Sequence, residues 1–175
     1  MLHRRALAAA ALALALCAPA TATATTVVPV TVEELTRQSD DVALVRVLQR
    51  SSHWEGRFIV TDHEVEVLAV SRGALTQGSR TVIRLAGGTV GRVGQVIPEA
   101  PEMLTGQTYL VFLRGGDDGA RFVAHLTAAV VPVSVRADRS GLDAAVPPTL
   151  LTTGPRTGAP EPLEPLLTRV QAVAR

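Results

Sequence analysis

Acid–base or metal chemistry in this chain would have to come from a few histidines and the carboxylates near them. His63 stands between Asp62 and Glu64, and a histidine beside carboxylates is able to bind a metal or carry a proton. Neighbouring side chains of a β-strand point to opposite faces, so His63 and the two acids do not converge. The pattern predicts a half-buried, hydrogen-bonded His63 beside two solvated acids.

His63 and His125 remain the basis of an alternative hypothesis, a metal-dependent or histidine-based enzyme in which folding brings both histidines near an acid. No H-x-H or H-x-x-x-H spacing supports it. The chain also has no G-x-S-x-G nucleophile motif and no lysine for a phosphate-binding loop. We therefore predict no catalytic residues, no metal ligands and no cofactor.

Two predicted connections carry the residues best suited to binding. His53 and Trp54 fall in the first, a predicted turn over residues 51–56, where an aromatic ring offers a large contact area. Packing of Trp54 over an open end of the fold is the alternative. The second connection, residues 87–106, either hides a hairpin or presents apolar side chains to a partner. Its apolar candidates are Val90, Val93, Val96 and Ile97.

The elements that position these residues are mostly strands. Thr31 and Glu34 fit a capping box, which predicts a short helix over residues 32–38. Beyond that helix, apolar residues recur with a period of two in six β-branched runs separated by turn residues. The fourth run is apolar on both faces, which predicts a central strand. The runs cover residues 41–49, 57–70, 80–86, 108–114, 120–125 and 128–135.

Short strands at such regular spacing predict a mainly β fold, a small antiparallel barrel of five or six strands over residues 25–136. Residues 137–175 are rich in Pro, Gly, Thr and Ala and are predicted to form a tail. The tail ends in a predicted amphipathic helix, which we expect to dock on the barrel, with docking on another protein as the alternative. Its apolar positions are Leu163, Leu166, Leu167, Val170 and Val173.

The first 24 residues have the features of a secretory signal peptide. Two arginines precede a short apolar run, and small residues fit cleavage after Ala22 or Ala24. Cys17 offers a lipoprotein alternative, but Leu16 stands where a small residue is expected. No later stretch is long and apolar enough for a membrane span. We predict a secreted or periplasmic bacterial protein.

The order of the strands carries a resemblance. The chain runs through VALVRVLQRSSHWEGRFIVTDHEVEVLAVSRG, TVIRLAGGTVG and LTGQTYLVFL, and so resembles uncharacterised secreted bacterial proteins with a small five-stranded barrel. It is also similar to netrin-like and tissue-inhibitor-of-metalloproteinase domains, which bind proteins through an oligonucleotide-binding-type (OB-type) barrel. The resemblance covers about residues 41–135 and implies an OB-like fold. Those inhibitors chelate a protease zinc through an N-terminal cysteine, which the predicted mature start, near Thr23 or Thr25, lacks.

Charge and motifs together predict a non-catalytic binding module. A formal net charge of +1 at pH 7 argues against nucleic acid as the main partner. We expect another exported or envelope protein to bind the connections 51–56 and 87–106, through His53, Trp54 and the four apolar residues of the second connection. A structural envelope component that associates with itself is a further alternative.

Overall fold

The computed structural model describes residues 29–116, 119–136, 140–148, 150–151 and 160–173. Within these ranges the protein is mainly β, and no helix is long and apolar enough to cross a bilayer. The helices are α1 (Val32–Arg37) and α2 (Leu163–Val173). The strands are β1 (Val30–Thr31), β2 (Asp41–Glu55), β3 (Phe58–Arg72), β4 (Arg80–Ala86), β5 (Gly88–Val90), β6 (Val93–Gln95), β7 (Thr108–Gly115), β8 (Arg121–Val123), β9 (Val130–Val135), β10 (Leu142–Ala144), β11 (Leu150–Leu151) and β12 (Glu161–Pro162).

The main sheet has the strand order β12-β10-β9-β7-β2-β3-β4-β8. Its last strand, β8, pairs in parallel with β4 and also pairs antiparallel with β7. Hydrogen bonding therefore runs from β7 through β2, β3, β4 and β8 back to β7, and we call these five strands the ring. Two smaller sheets lie outside the ring: the parallel pair β1–β11 and the hairpin β5–β6.

β7 is buried on both faces and separates two apolar cores, which confirms the prediction of a central strand. Alternation along the strand sends Leu110 and Phe112 to one side, and it sends Tyr109, Val111 and Leu113 to the other. The ring core on that other side also receives Met103, a fully buried residue from the connection before β7. The ring core consists of Ala43, Val45, Val47, Val65, Val67, Ile83, Leu85, Met103, Tyr109, Val111, Leu113 and Val130.

The second core, which we call the helix core, is covered by the two helices. Leu163, Leu166 and Val170 of α2 are buried in it, which confirms that the terminal helix docks on its own fold. The guanidinium of Arg169 also donates to both carboxylate oxygens of Glu33 in α1, at 2.7 Å each. These hydrogen bonds lower the pKa of Glu33 below its usual range.

The start of α1 is fixed by its cap. The backbone N–H of Glu34 donates to Thr31 Oγ1 at 3.2 Å, and Thr31 itself is extended. The predicted helix over residues 32–38 is therefore confirmed, with its last turn ending at Arg37.

A buried carboxylate joins three separate parts of the chain. Asp41 is 2% exposed, and its Oδ1 accepts hydrogen bonds from the backbone N–H groups of Ala74 and Leu75 at 2.8 and 3.2 Å. Its Oδ2 accepts from Arg121 Nε at 2.9 Å. Gly73 has a φ of +102°, and any Cβ there would collide with Asp41. Asp41 thus holds the β3–β4 connection and β8 against the start of β2.

Two sets of predicted strand bounds needed correction. The first run, 41–49, lengthens to β2 because pairing with β3 continues to Glu55 after β2 has left the ring core. The second, 57–70, shifts to β3 because Arg57 lies in the turn and Arg72 still pairs with Val42. The last two, 120–125 and 128–135, shorten to β8 and β9, because a 3-10 turn over Thr127–Ala129 lies between them. Residues 1–24, with the predicted signal peptide and Cys17, lie outside the described residues.

Replacement of Asp41 by alanine should lower the free energy of unfolding by about 3 kcal/mol, because Arg121 and two backbone N–H groups lose their buried acceptor. The neighbouring Asp40 is exposed and accepts one backbone hydrogen bond, so Asp40→Ala should cost about 1 kcal/mol or less. Urea unfolding followed by circular dichroism measures both. Equal losses for the two variants would contradict the role given to Asp41.

Candidate binding surface on the β2–β3 arm

Residues 49–64 of β2 and β3 form a hairpin, which we call the arm, and β4 pairs with β3 along residues 60–64 of it. β2 pairs with β7 only over its first six residues, and beyond them β3 alone is paired with it. The arm ends in a two-residue loop, Gly56 and Arg57, with Glu55 opposite Phe58. Gly56 has a φ of +60°, which suits the first position of a tight hairpin turn and favours glycine there.

The predicted turn over residues 51–56 is wrong. His53 and Trp54 lie within β2, opposite Val60 and Ile59, and the chain turns only after Glu55. The residues that indicated a turn are polar because this part of β2 extends past the ring core. A polar residue such as Ser52 is therefore tolerated in this strand, because the position is not part of the ring core.

The inner face of the arm carries the hairpin β5–β6. Thr61 Oγ1 donates to Gly87 O at 2.7 Å and lies 2.9 Å from Ser52 Oγ. The side chain of Gln95 accepts from the backbone N–H of Ile59 at 2.6 Å. These bonds tie both ends of the hairpin to the arm. They also confirm the interpretation that residues 87–106 contain a hairpin.

A cleft of about 170 Å³ lies beside this contact, and the buried Met103 forms part of its lining. His63 and Thr61 contribute to its wall, and Arg50 and Glu102 line it with an ion pair of 3.8 Å between largely exposed side chains. A polar recess of about 490 Å³ adjoins it and shares Arg50, Thr61 and Glu102. Sequence reasoning did not find this cleft, because its residues come from four separate segments.

His63 is 3% exposed and therefore buried rather than half-buried as predicted, whereas Asp62 and Glu64 are partly exposed on the other face, as the alternation predicted. Burial lowers the pKa of His63 below its usual range, and backbone groups of Ile83 and Thr61 partly oppose this effect. Its Nδ1 is buried and has no hydrogen-bond partner among the described residues. The predicted hydrogen bond to the imidazole is therefore not present at Nδ1, and burial favours the neutral form of the side chain.

The outer face of the arm carries an ion-pair network. Arg84 of β4 donates to both oxygens of Asp62, at 2.7 and 3.1 Å, and to Glu55 at 2.9 Å. Glu64 accepts from Gln49 at 2.7 Å and from Arg80 at 3.1 Å. These cross-strand contacts hold the arm against β4 and fix the register of its two strands.

The end of the arm is apolar and exposed. Trp54 is 49% exposed and Phe58 59% exposed, and the adjoining hairpin segment adds Val93 at 51% and Val96 at 90%. Of the other predicted binding residues, His53 is exposed, and Val90 and Ile97 are partly buried. Sequence reasoning missed Phe58, which is paired with Glu55 next to the Gly56 turn and points to the opposite face of the arm from Trp54. We call Trp54, Phe58, Val93 and Val96 the apolar end.

The two histidines of the enzyme hypothesis do not share a cleft. His63 lines the cleft described above, and the residues that line it do not include His125. His125 is partly buried near the 3-10 turn, where its Nδ1 has no hydrogen-bond partner in the described parts of the chain. Among these residues there is also no group of three or more His, Cys, Asp or Glu side chains placed to hold a metal ion.

Comparison with known proteins assigns no family to this chain. No protein-family model matches it, and no curated protein is similar to it in sequence.

Gly88→Ala should destabilise the fold by about 1–3 kcal/mol. Gly88 has a φ of +131°, and a Cβ would collide with Thr61 Oγ1 and stand 2.6 Å from Ser52 Oγ. Gly94 in the same hairpin is the control, since its φ is not positive and a Cβ there has its nearest contact at 3.6 Å. Thermal unfolding of the two alanine variants should separate them. A similar melting temperature for both would contradict the packing of Gly88 on the arm.

The pKa of His63 predicts a loss of stability in mild acid. Its folded-state pKa lies below the ordinary 6.5, so the unfolded chain binds a proton that the native chain does not. The free energy of unfolding should fall as the pH drops from about 7 to 5, with no His63 contribution above about pH 7.5. His63→Gln should reduce this fall in urea titrations, and His53→Gln controls for loss of a histidine. An unchanged pH dependence in His63→Gln would refute the assignment.

Proposed function

We propose that this protein is an exported, non-catalytic binding module whose ring of strands is a closed OB-type barrel. The ring of pairings supports this proposal, because β8 bonds to β4 on one side and to β7 on the other. The parallel β4–β8 pairing gives the order expected for a five-stranded Greek-key barrel. The sequence resemblance to netrin-like domains supports the same interpretation.

The partner is a protein that binds the apolar end of the arm. The single observation that carries this proposal is the exposure of Trp54 and Phe58 at the tip of the arm, next to its turn. Aromatic residues cost little conformational entropy to fix and are enriched at the centres of protein interfaces. Val93 and Val96 extend the surface, and exposed apolar patches of this kind mark interaction sites.

Arginine completes the composition expected of a protein-binding surface. Arg57 occupies the turn of the arm and Arg92 the turn between β5 and β6, and both residues are exposed. Arginine beside an aromatic residue is typical of interface hot spots. A partner with apolar pockets and an acidic rim fits this surface. The net charge of +1 does not favour a polyanion.

Export follows from the leader sequence and places the partner in the periplasm or outside the cell. A mature chain cut after Ala22 or Ala24 retains no cysteine, so its stability does not depend on disulfides. The partner would be another exported or envelope protein.

The test compares two surfaces of similar exposure. Phe58→Asp with Val96→Asp places charges on the apolar end, whereas Val135→Asp changes a residue that is 65% exposed on β9. The parent protein, the double variant and Val135→Asp are each used in affinity capture from an exported fraction, followed by titration of the purified partner. The double variant should bind at least tenfold more weakly, and Val135→Asp should bind as the parent does. Equal binding by all three would exclude the apolar end as the interface.

A further inference from the structure

The outer edge of β2 beyond the ring is a second surface. Pairing with β7 stops at Arg46, and one loop contact follows, in which Val47 N–H donates to Gln107 O at 3.0 Å and Val47 O accepts from Gly106 N at 2.8 Å. Over residues 48–55, no strand or loop in the described ranges is hydrogen-bonded to this edge. An unpaired strand edge is a template for another strand.

The alternation of the hairpin shows which backbone groups face outward. Ile59 O accepts from Gly87 N at 2.8 Å, so the polar backbone groups of Ile59 and of residues two apart from it face away from β2. The even-numbered residues of β3 along the arm therefore bond to their partners in β2. The backbone N–H and C=O groups that face outward from β2 belong to Arg50, Ser52 and Trp54.

We propose that this edge pairs antiparallel with the same edge of a second copy of the chain, with Ser52 opposite Ser52 of the second copy. A two-fold axis perpendicular to the sheet produces this arrangement and keeps inner and outer faces on the same sides. Arg50 then stands opposite Trp54 of the second copy. The outward-facing backbone N–H and C=O groups of Arg50, Ser52 and Trp54 then have hydrogen-bond partners in the second copy.

The side chains along the edge are complementary in this register. On the inner face, each Arg50 guanidinium meets an indole ring, which is a favourable cation–π pair. On the outer face, each Gln49 amide meets a Glu55 carboxylate and is able to donate to it. No two like charges are opposed. A shift by two residues in either direction removes both kinds of pair.

The length of the edge also fits a second copy. The turn of the second copy places its Gly56 opposite Leu48, next to the point where Gly106 is bonded to Val47. The added strand therefore occupies the whole edge that is unpaired within one chain. Such a contact is small, so we infer a weak, concentration-dependent dimer. Phe58, Val93 and Val96 lie outside the paired edge, which leaves most of the apolar end accessible to another protein.

Two variants at one exposed position test the charge pattern. Gln49→Arg places an arginine opposite Glu55 twice in the dimer and should tighten self-association about fivefold, whereas Gln49→Glu opposes like charges and should weaken it about fivefold. Sedimentation equilibrium between about 10 μM and 1 mM measures the dissociation constant, and circular dichroism verifies folding. Equal dissociation constants for the two variants overturn the proposal. A monomer at every concentration also overturns it.

Oxidative cross-linking tests the register. With Cys17 replaced by serine, Ser52→Cys should form a disulfide-linked dimer, since residues opposite each other in this ladder have Cα atoms about 5.5 Å apart. Ser51→Cys is the matched control, because Ser51 stands opposite His53 of the second copy rather than opposite itself. Cross-linking of the Ser51 variant in preference to the Ser52 variant overturns the proposed register. Neither result depends on whether the apolar end binds a protein, so the two proposals fail independently.

Discussion

The carboxylate of Asp41 is the contact on which the ring of strands depends. β8 has only three residues, yet it links β4 to β7, and its first residue, Arg121, is bonded to Asp41. The same carboxylate holds the turn after β3 through two backbone N–H groups. A strand as short as β8 has few hydrogen bonds of its own, so a charge-assisted bond from a buried acceptor contributes a large share of its attachment.

The arm is attached to the ring at this point and is stabilised by different contacts on its two faces. An isolated two-stranded hairpin is at best marginally stable in water. Here the outer face is held to β4 by the ion pairs of Arg84, and the inner face is held to β5–β6 by Thr61 and by Gln95. Bonds on both faces restrict the position of the tip, which lowers the conformational entropy that a partner would have to remove on binding.

Sequence reasoning succeeded where burial shapes the pattern. The central strand β7, the opposite directions of His63 and Asp62, and the docked helix α2 all follow from apolar periodicity, because each is packed against a core. The continuation of β2 to Glu55 did not follow from it, because that segment is ordered by pairing with β3 rather than by burial. The cleft beside His63 could not be predicted either, since it depends on how separate segments meet.

The ion pair between Glu33 and Arg169 has a consequence for the order of folding. Its two residues are 136 positions apart, and the buried leucines of α2 complete the core that α1 begins. Closing so long a loop has an entropic cost before any contact forms, and folds rich in distant contacts fold slowly. During synthesis, the apolar side of α1 therefore stays incompletely covered until α2 has been made, an interval in which chaperones have access to it.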